Sequence, residues 1–153
     1  MPISRRLFLS LAGAAGAIAG TGARGATHDT IASFETVEAL RAVPPGERGD
    51  LRRALGRHVR GDGGGGAFWW DEAAGEAEDG GTVFAPADGG TGRWRRLIDG
   101  DWQAAWFGVR ADGVSDDGPA LTRAIDAAAG RRLMLPKGTI RISAPLAPAA
   151  SLW

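Results

Sequence analysis

The chain has 153 residues, and its 18 Lys and Arg balance 18 Asp and Glu, so the formal net charge is zero. That balance excludes a nucleic-acid binder held by bulk charge, and a composition 44% hydrophobic and 24% charged excludes global disorder. The absence of Cys excludes a disulfide scaffold, a zinc-thiolate site, an iron–sulfur cluster and a thiol nucleophile. His28 and His58 are the only histidines, which excludes a multi-histidine metal centre; 25 Gly and 6 Trp without Tyr are the unusual features.

Residues 1–26 hold Arg5, Arg6 and Arg24 and no acidic residue. Arg5-Arg6 precedes a short apolar run, Leu7 to Gly20, followed by small residues, which is the pattern of a signal peptide. The run is too short and too rich in Gly and Ala to span the ~30 Å of a bilayer core. Ser4-Arg5-Arg6-Leu7-Phe8-Leu9 resembles the twin-arginine export motif, with Ser10 where that motif often has Lys. Cleavage is expected within Ala23–Ala26. It removes three of the 18 basic residues and none of the 18 acidic ones, leaving a net charge of −3. The mature protein is therefore expected to be periplasmic or extracellular in a bacterium, without a membrane span.

Thr36-Val37-Glu38-Ala39-Leu40-Arg41 predicts a short helix capped by Thr36 and stopped by Pro44-Pro45. Beyond it, Leu51–Val59, Ala67–Asp71, Thr82–Ala85 and Arg93–Ile98 are short strand-like runs between Gly- and Asp-rich breaks. Twelve of the 25 Gly fall from Gly56 to Gly92, a density of turns rather than of helix. Alternation places Phe68 and Trp70 on one strand face and Trp69 on the other, with Trp94 and Ile98 sharing a face of the later strand. The stretch predicts a compact antiparallel β unit.

Gly61, Gly63 and Gly66 satisfy a GxGxxG pattern, but a phosphate-binding loop needs a helix directly after the glycines. Ala67-Phe68-Trp69-Trp70 comes next instead, a strand sequence, and no Lys-Ser/Thr completes a P-loop. The run predicts a hairpin loop. Tryptophans of the unit have two uses, packing a small sheet or offering a sugar-stacking platform, and Trp69 and Trp102 stay open between them.

The last third opens with Trp106-Phe107-Gly108 and Asp112-Gly113-Val114-Ser115-Asp116-Asp117. A helix comes after, with Ala120, Leu121, Ala124, Ile125 and Ala128 in one apolar stripe and Arg123 and Asp126 facing away. Asp116 or Asp117 suits the N-cap, Pro119 the first turn and Gly130 the residue after the helix. Leu133-Met134-Leu135 and Thr139-Ile140-Arg141-Ile142 then predict strands joined through Pro136-Lys137-Gly138. Asp112, Asp116 and Asp117 fail as a calcium loop, because Val114 takes a ligand position and Arg123 stands where a bidentate Glu is required. As a pair for glycoside cleavage they lack supporting residues, and a helix start gives Asp a capping use.

Residues 105–146 resemble the opening of the right-handed parallel β-helix of the pectate lyase superfamily, which includes rhamnogalacturonase/epimerase-like proteins and phage tailspikes. The matching words are Trp106-Phe107-Gly108-x-x-x-Asp112-Gly113-Val114-x-Asp116-Asp117, the helix Ala120–Ala128, and Leu135-Pro136-x-Gly138-Thr139. Ile140 stands where the family often shows Tyr. Gly61-Asp62-Gly63-Gly64-Gly65-Gly66-x-Phe68-x-Trp70-Asp71, Asp79-Gly80-Gly81-Thr82-Val83 and Gly92-Arg93-Trp94-x-Arg96-Leu97 resemble the small β unit before some tailspike-like β-helices.

The resemblance implies a mostly β protein: a signal peptide at 1–26, a small antiparallel β unit with a short leading helix at 27–100, and the helical cap and first coil of a truncated β-helix at 101–153. It implies the front part of an exported polysaccharide lyase or glycoside hydrolase, this chain being non-catalytic. The other reading is a tailspike-like or surface protein that binds glycans without cleaving them, with a homotrimer as its expected assembly. The leader favours the enzyme, and the β unit favours the tailspike. No family catalytic residue has a matching position, so no catalytic, cofactor or metal residue is assigned, and polysaccharide is the expected ligand. With about one coil, a solenoid cannot bury its own core, so Ile140, Ile142, Leu146 and Leu152 are expected to lack an apolar roof.

Overall fold

The computed structural model describes residues 31–147 and 149. The expected leader with its cleavage site, His28 and Leu152 lie outside the described residues. Those described belong to one compact unit with two apolar cores.

The first core is built on a sheet. Strand β1 (Ala32–Phe34) leads into helix α1 (Val37–Ala42), where the Thr36 hydroxyl accepts the Ala39 N–H at 3.1 Å. That cap sits where the sequence predicts it. Then come β2 (Leu51–Ala54), β3 (Gly66–Asp71), β4 (Val83–Phe84) and β5 (Arg93–Arg96), in the sheet order β1-β2-β3-β5-β4. Four of these strands run antiparallel, but β1 joins β2 in parallel, so the unit is mixed rather than purely antiparallel. The intervening α1 supplies the crossover that a parallel pair requires. Val37, Leu40, Phe68, Trp70, Phe84 and Trp94 close the core, with Phe68 edge-on to Phe84 and Trp70 tilted against Trp94.

Two sequence expectations change here. The run Leu51–Val59 is strand only to Ala54, because the amides of Arg57, His58 and Val59 turn inward to the Asp62 carboxylate. Ile98 lies past the end of β5 and is 42% exposed; the residue that shares the inward face with Trp94 is Arg96, at 5%. The Phe68/Trp70 alternation holds as predicted.

The second core is built on parallel returns of the chain. Strand β6 (Trp102–Gln103) runs into a buried 3-10 turn (Ala104–Phe107), then β7 (Asp112–Asp116) and helix α2 (Gly118–Ala128). The short strands β8 (Leu133–Met134) and β9 (Thr139–Arg141) do not pair with each other. Instead β8 lies parallel to β6, Trp102 opposite Leu133, and β9 lies parallel to β7, Asp112 opposite Thr139. Two successive strands thus each stack on their counterpart from one circuit earlier. Ala120, Leu121, Ala124 and Ala128 of α2 pack on Trp102, Trp106, Phe107 and Val109, matching the predicted stripe.

Candidate functional site

The sheet and the coil meet at Arg96. Its guanidinium lies between the rings of Phe68 (4.5 Å) and Trp106 (4.7 Å), one from each core. The fork donates to the carbonyls of Gly81 (2.9 Å), Gly65 (2.6 Å) and Gly64 (2.9 Å). A buried cation is costly unless its donors are satisfied, and here backbone carbonyls and two aromatic faces do so. Burial, reinforced by repulsion from Arg57 and opposed by Asp79, pulls its pKa down to about 9, so Arg96 stays charged at neutral pH. A Cβ on Gly81 would stand 2.6 Å from the Phe107 ring, so only glycine allows this approach.

This geometry also assigns the glycine run. Gly64 and Gly65 turn their carbonyls to Arg96, while Asp62 gathers the amides of Arg57 (2.8 Å), His58 (2.7 Å), Val59 (3.1 Å) and Gly64 (2.9 Å). Partial burial pushes the Asp62 carboxyl up, but these backbone bonds outweigh it and the net shift is downward. The loop is a structural hairpin element, as the strand sequence after it predicts.

The aspartates of the last third serve the backbone in the same way. Asp112 accepts from the Val114 and Ser115 amides (2.8 and 2.7 Å) and the Ser115 hydroxyl, which hold its carboxyl down at about 2. Asp116 accepts from Gly118 (3.1 Å) at the start of α2 and from Ser143 (3.2 Å) beyond β9. Asp117 occupies the N-cap position but makes no side-chain cap bond. It is 1% exposed, and its carboxylate instead accepts the Arg110 (2.7 Å) and Ala111 (3.1 Å) amides. Those bonds hold Ala111 at a left-handed φ of 53°, from which its carbonyl takes the Thr139 amide at 2.9 Å. The acidic cluster therefore fixes the register between β7 and β9.

Several large apolar side chains of the last third are exposed among the described residues. Val114 is 78% exposed, Leu135 54%, Met134 43% and Ile142 43%, while Ile140 and Leu146 are only partly buried against the core. Of the residues expected to lack a roof, Ile142 is exposed while Ile140 and Leu146 pack against the core, and Leu152 lies outside the described residues. Among the described residues no helix is long and apolar enough to cross a membrane.

The comparison with known families respects this division of the fold. Residues 33–99 match the phage tail protein small four-stranded β-sheet domain. The matched stretch takes in the five-stranded sheet, whose order is β1-β2-β3-β5-β4. Among solved structures, the chain is similar to the tailspike protein of Acinetobacter baumannii bacteriophage Fri1, a capsular polysaccharide depolymerase (27% identity, TM-score 0.61), covering 70% of this chain and 20% of that one. It is also similar to WceF of Pantoea stewartii, a glycan biofilm modifying enzyme with a tailspike-like parallel β-helix fold (28%, TM-score 0.56), over 65% of this chain and 14% of that one. The tailspike of Acinetobacter baumannii phage AM24 is a third (26%, TM-score 0.54), over 63% and 16%. The chain thus spans a fifth or less of the length of the proteins it matches.

The structure also places the two open tryptophans. Trp102 is buried, stacked on Phe107 at 6.1 Å, which makes it a packing residue. Trp69 is half-buried on the sheet face opposite Phe68 and Trp70, with the Arg95 guanidinium 6.0 Å from its ring. Sequence reasoning missed Arg96 and the aim of Asp117. The signals for Arg96 were its even spacing from Trp94 and its place in the motif Gly92-Arg93-Trp94-x-Arg96-Leu97, neither of which says what it holds.

Proposed function

We propose that this chain forms the base of a tailspike-like, glycan-directed parallel β-helix protein, the phage tail β-domain coming first and α2 covering one end of the opening coil. The observation that carries this reading is the pair of parallel returns, β6 to β8 and β7 to β9, placed directly after that domain. In this reading 27–100 is the mounting unit, 101–153 the helical cap and first coil of a pectate-lyase-type β-helix, and the assembly a homotrimer. Polysaccharide is the ligand of the β-helix, cleaved by lyase or hydrolase chemistry supplied outside this chain. Here the aspartates are engaged by backbone amides, and the chain's own part is to start and seal the solenoid.

The leader and the β unit pull toward different readings only if tailspike-like folds belong to phage particles alone. WceF, a Pantoea stewartii enzyme with a tailspike-like fold, supports an exported bacterial enzyme over the purely structural alternative. Export by the twin-arginine route is part of the proposal. Replacing Arg5 and Arg6 with Lys is expected to abolish export of a reporter fused behind residue 26; unchanged export would remove that part.

Exchanging residues 31–147 for the matching segment of the Fri1 tailspike tests the main reading. The chimera is expected to stay soluble and keep its depolymerase activity on capsule. An aggregated or inactive product, beside an active parent, would overturn it. The unmodified 153-residue chain is expected to release no unsaturated or reducing sugar from acidic polysaccharides.

A further inference from the structure

An open cleft of about 460 Å³ runs from Arg57 and His58 to the start of α2, lined also by Arg110, Arg123, Asp116 and Asp117. Its volume falls in the ~300–1,000 Å³ range usual for small-molecule sites. Arg57 is half-buried, and Arg110 and Arg123 are exposed. None of the three forms an ion pair among the described residues.

The Arg57 Nε is buried with no hydrogen-bond partner among the described residues, and its guanidinium sits 5.1 Å from the Phe84 ring centre. Arg123 gives one N–H to the Phe107 carbonyl at 3.2 Å, and His58 Nε2 lies 3.2 Å from the Gly108 carbonyl. The nearby carboxylates are committed to backbone amides: Asp62 to the glycine loop, Asp116 to Gly118 and Ser143, Asp117 to Arg110 and Ala111. The lining sets the three guanidiniums of Arg57, Arg110 and Arg123 against the two carboxylates of Asp116 and Asp117, a surplus of one positive charge. Burial, then repulsion from Arg41 and Arg123, lowers the Arg57 pKa, so an arriving negative charge would relieve an existing crowding.

We propose that this cleft binds the carboxylate of an acidic sugar unit, Arg110 and Arg123 gripping it from the rim with Arg57 behind them. Planar guanidinium forks suit an oxyanion in two-pronged geometry, and the open mouth admits one residue of a chain. The shared chemistry is a compact oxyanion, which a uronate or free phosphate would both supply. The inference stands apart from the β-helix reading, since every group it uses lies in this chain.

The test is a titration of the isotope-labelled full chain, monitored by NMR at the amides of His58, Gly108 and Arg110. The probes are trigalacturonate, a neutral galactose trisaccharide and inorganic phosphate. Trigalacturonate is expected to give saturable shifts, and the neutral trisaccharide none. Arg110→Gln or Arg123→Gln is expected to weaken binding about tenfold, the usual loss for one charge-assisted hydrogen bond. Arg110→Lys should recover only part of that affinity, since an ammonium keeps the charge but not the two-pronged fork, and signals outside the cleft report whether each variant is folded. No shift with trigalacturonate, equal shifts with the neutral sugar, or undiminished binding by both Gln variants overturns the proposal. Shifts with phosphate alone assign the cleft to a free oxyanion and overturn the sugar.

Discussion

The two cores are built from similar residues and finished differently. In the sheet unit, Val37, Leu40, Phe68, Phe84 and Trp94 are fully buried, and α1 and the loops close the sheet. In the coil, Ala104 and Phe107 are as deeply buried, yet Val114, Leu135 and Ile142 stand in solvent. A sheet with a helix can bury its apolar face by itself. In repeat folds a coil buries its apolar face against stacked neighbours. The difference is one of closure: the first region covers its own core, and the second leaves several large apolar side chains exposed.

The largest expected effect tests the closed core. Phe68→Ala should cost about 3–5 kcal/mol and unfold the sheet, read by denaturant melts of the chain. A loss near zero would mean that this core does not hold the unit together. Next comes the joint. Arg96→Met leaves three carbonyls without donors and removes a cation from two rings, an expected cost of about 3 kcal/mol. Hydrogen exchange should then protect the two regions independently; a single surviving cooperative unit would show that the cores are joined by other contacts.

A smaller, local effect belongs to the acidic loop. Asp112 titrates below its ordinary value, at about 2 rather than 3.8, so its bonds to Val114 and Ser115 are fully present above pH 4. They are lost as pH falls through that lowered pKa. Amide shifts of Val114 and Ser115 should move between about pH 4 and 2 while sheet residues stay still. The smallest effect sharpens the contrast most. Ile142→Ser, at an exposed apolar position, should change stability by no more than about 0.5 kcal/mol but reduce binding of an apolar dye. A loss comparable with Phe68→Ala would mean that the coil is already roofed.

Elements written in short-range chemistry were legible in the sequence. Thr36 before an apolar pair, Pro44-Pro45 after it, the Phe68/Trp70 alternation and the α2 stripe all stand where capping and periodicity put them. The glycine loop was readable from its C-terminal neighbours, because Ala67-Phe68-Trp69-Trp70 forms a strand and not a helix.

Strand partnership was a different matter. Leu133-Met134 and Thr139-Ile140-Arg141 were legible as strands joined by a turn, but period-2 patterning carries no information about which edge a strand joins, and the two pair with β6 and β7 rather than with each other. Their choice of β6 and β7 comes from where α2 and the 3-10 turn set those edges, and from Asp117 holding Ala111 for the Thr139 amide. Likewise Arg93 to Arg96 alternates as any solvated strand does. Arg96 turns inward because the Gly64, Gly65 and Gly81 carbonyls and two rings from separate cores converge on one point. The sequence by itself determined the local elements, whose causes lie within a few residues of one another. The parallel returns, the arginine joint and the aim of Asp117 were decided by the tertiary structure, because each depends on groups brought together from distant parts of the chain.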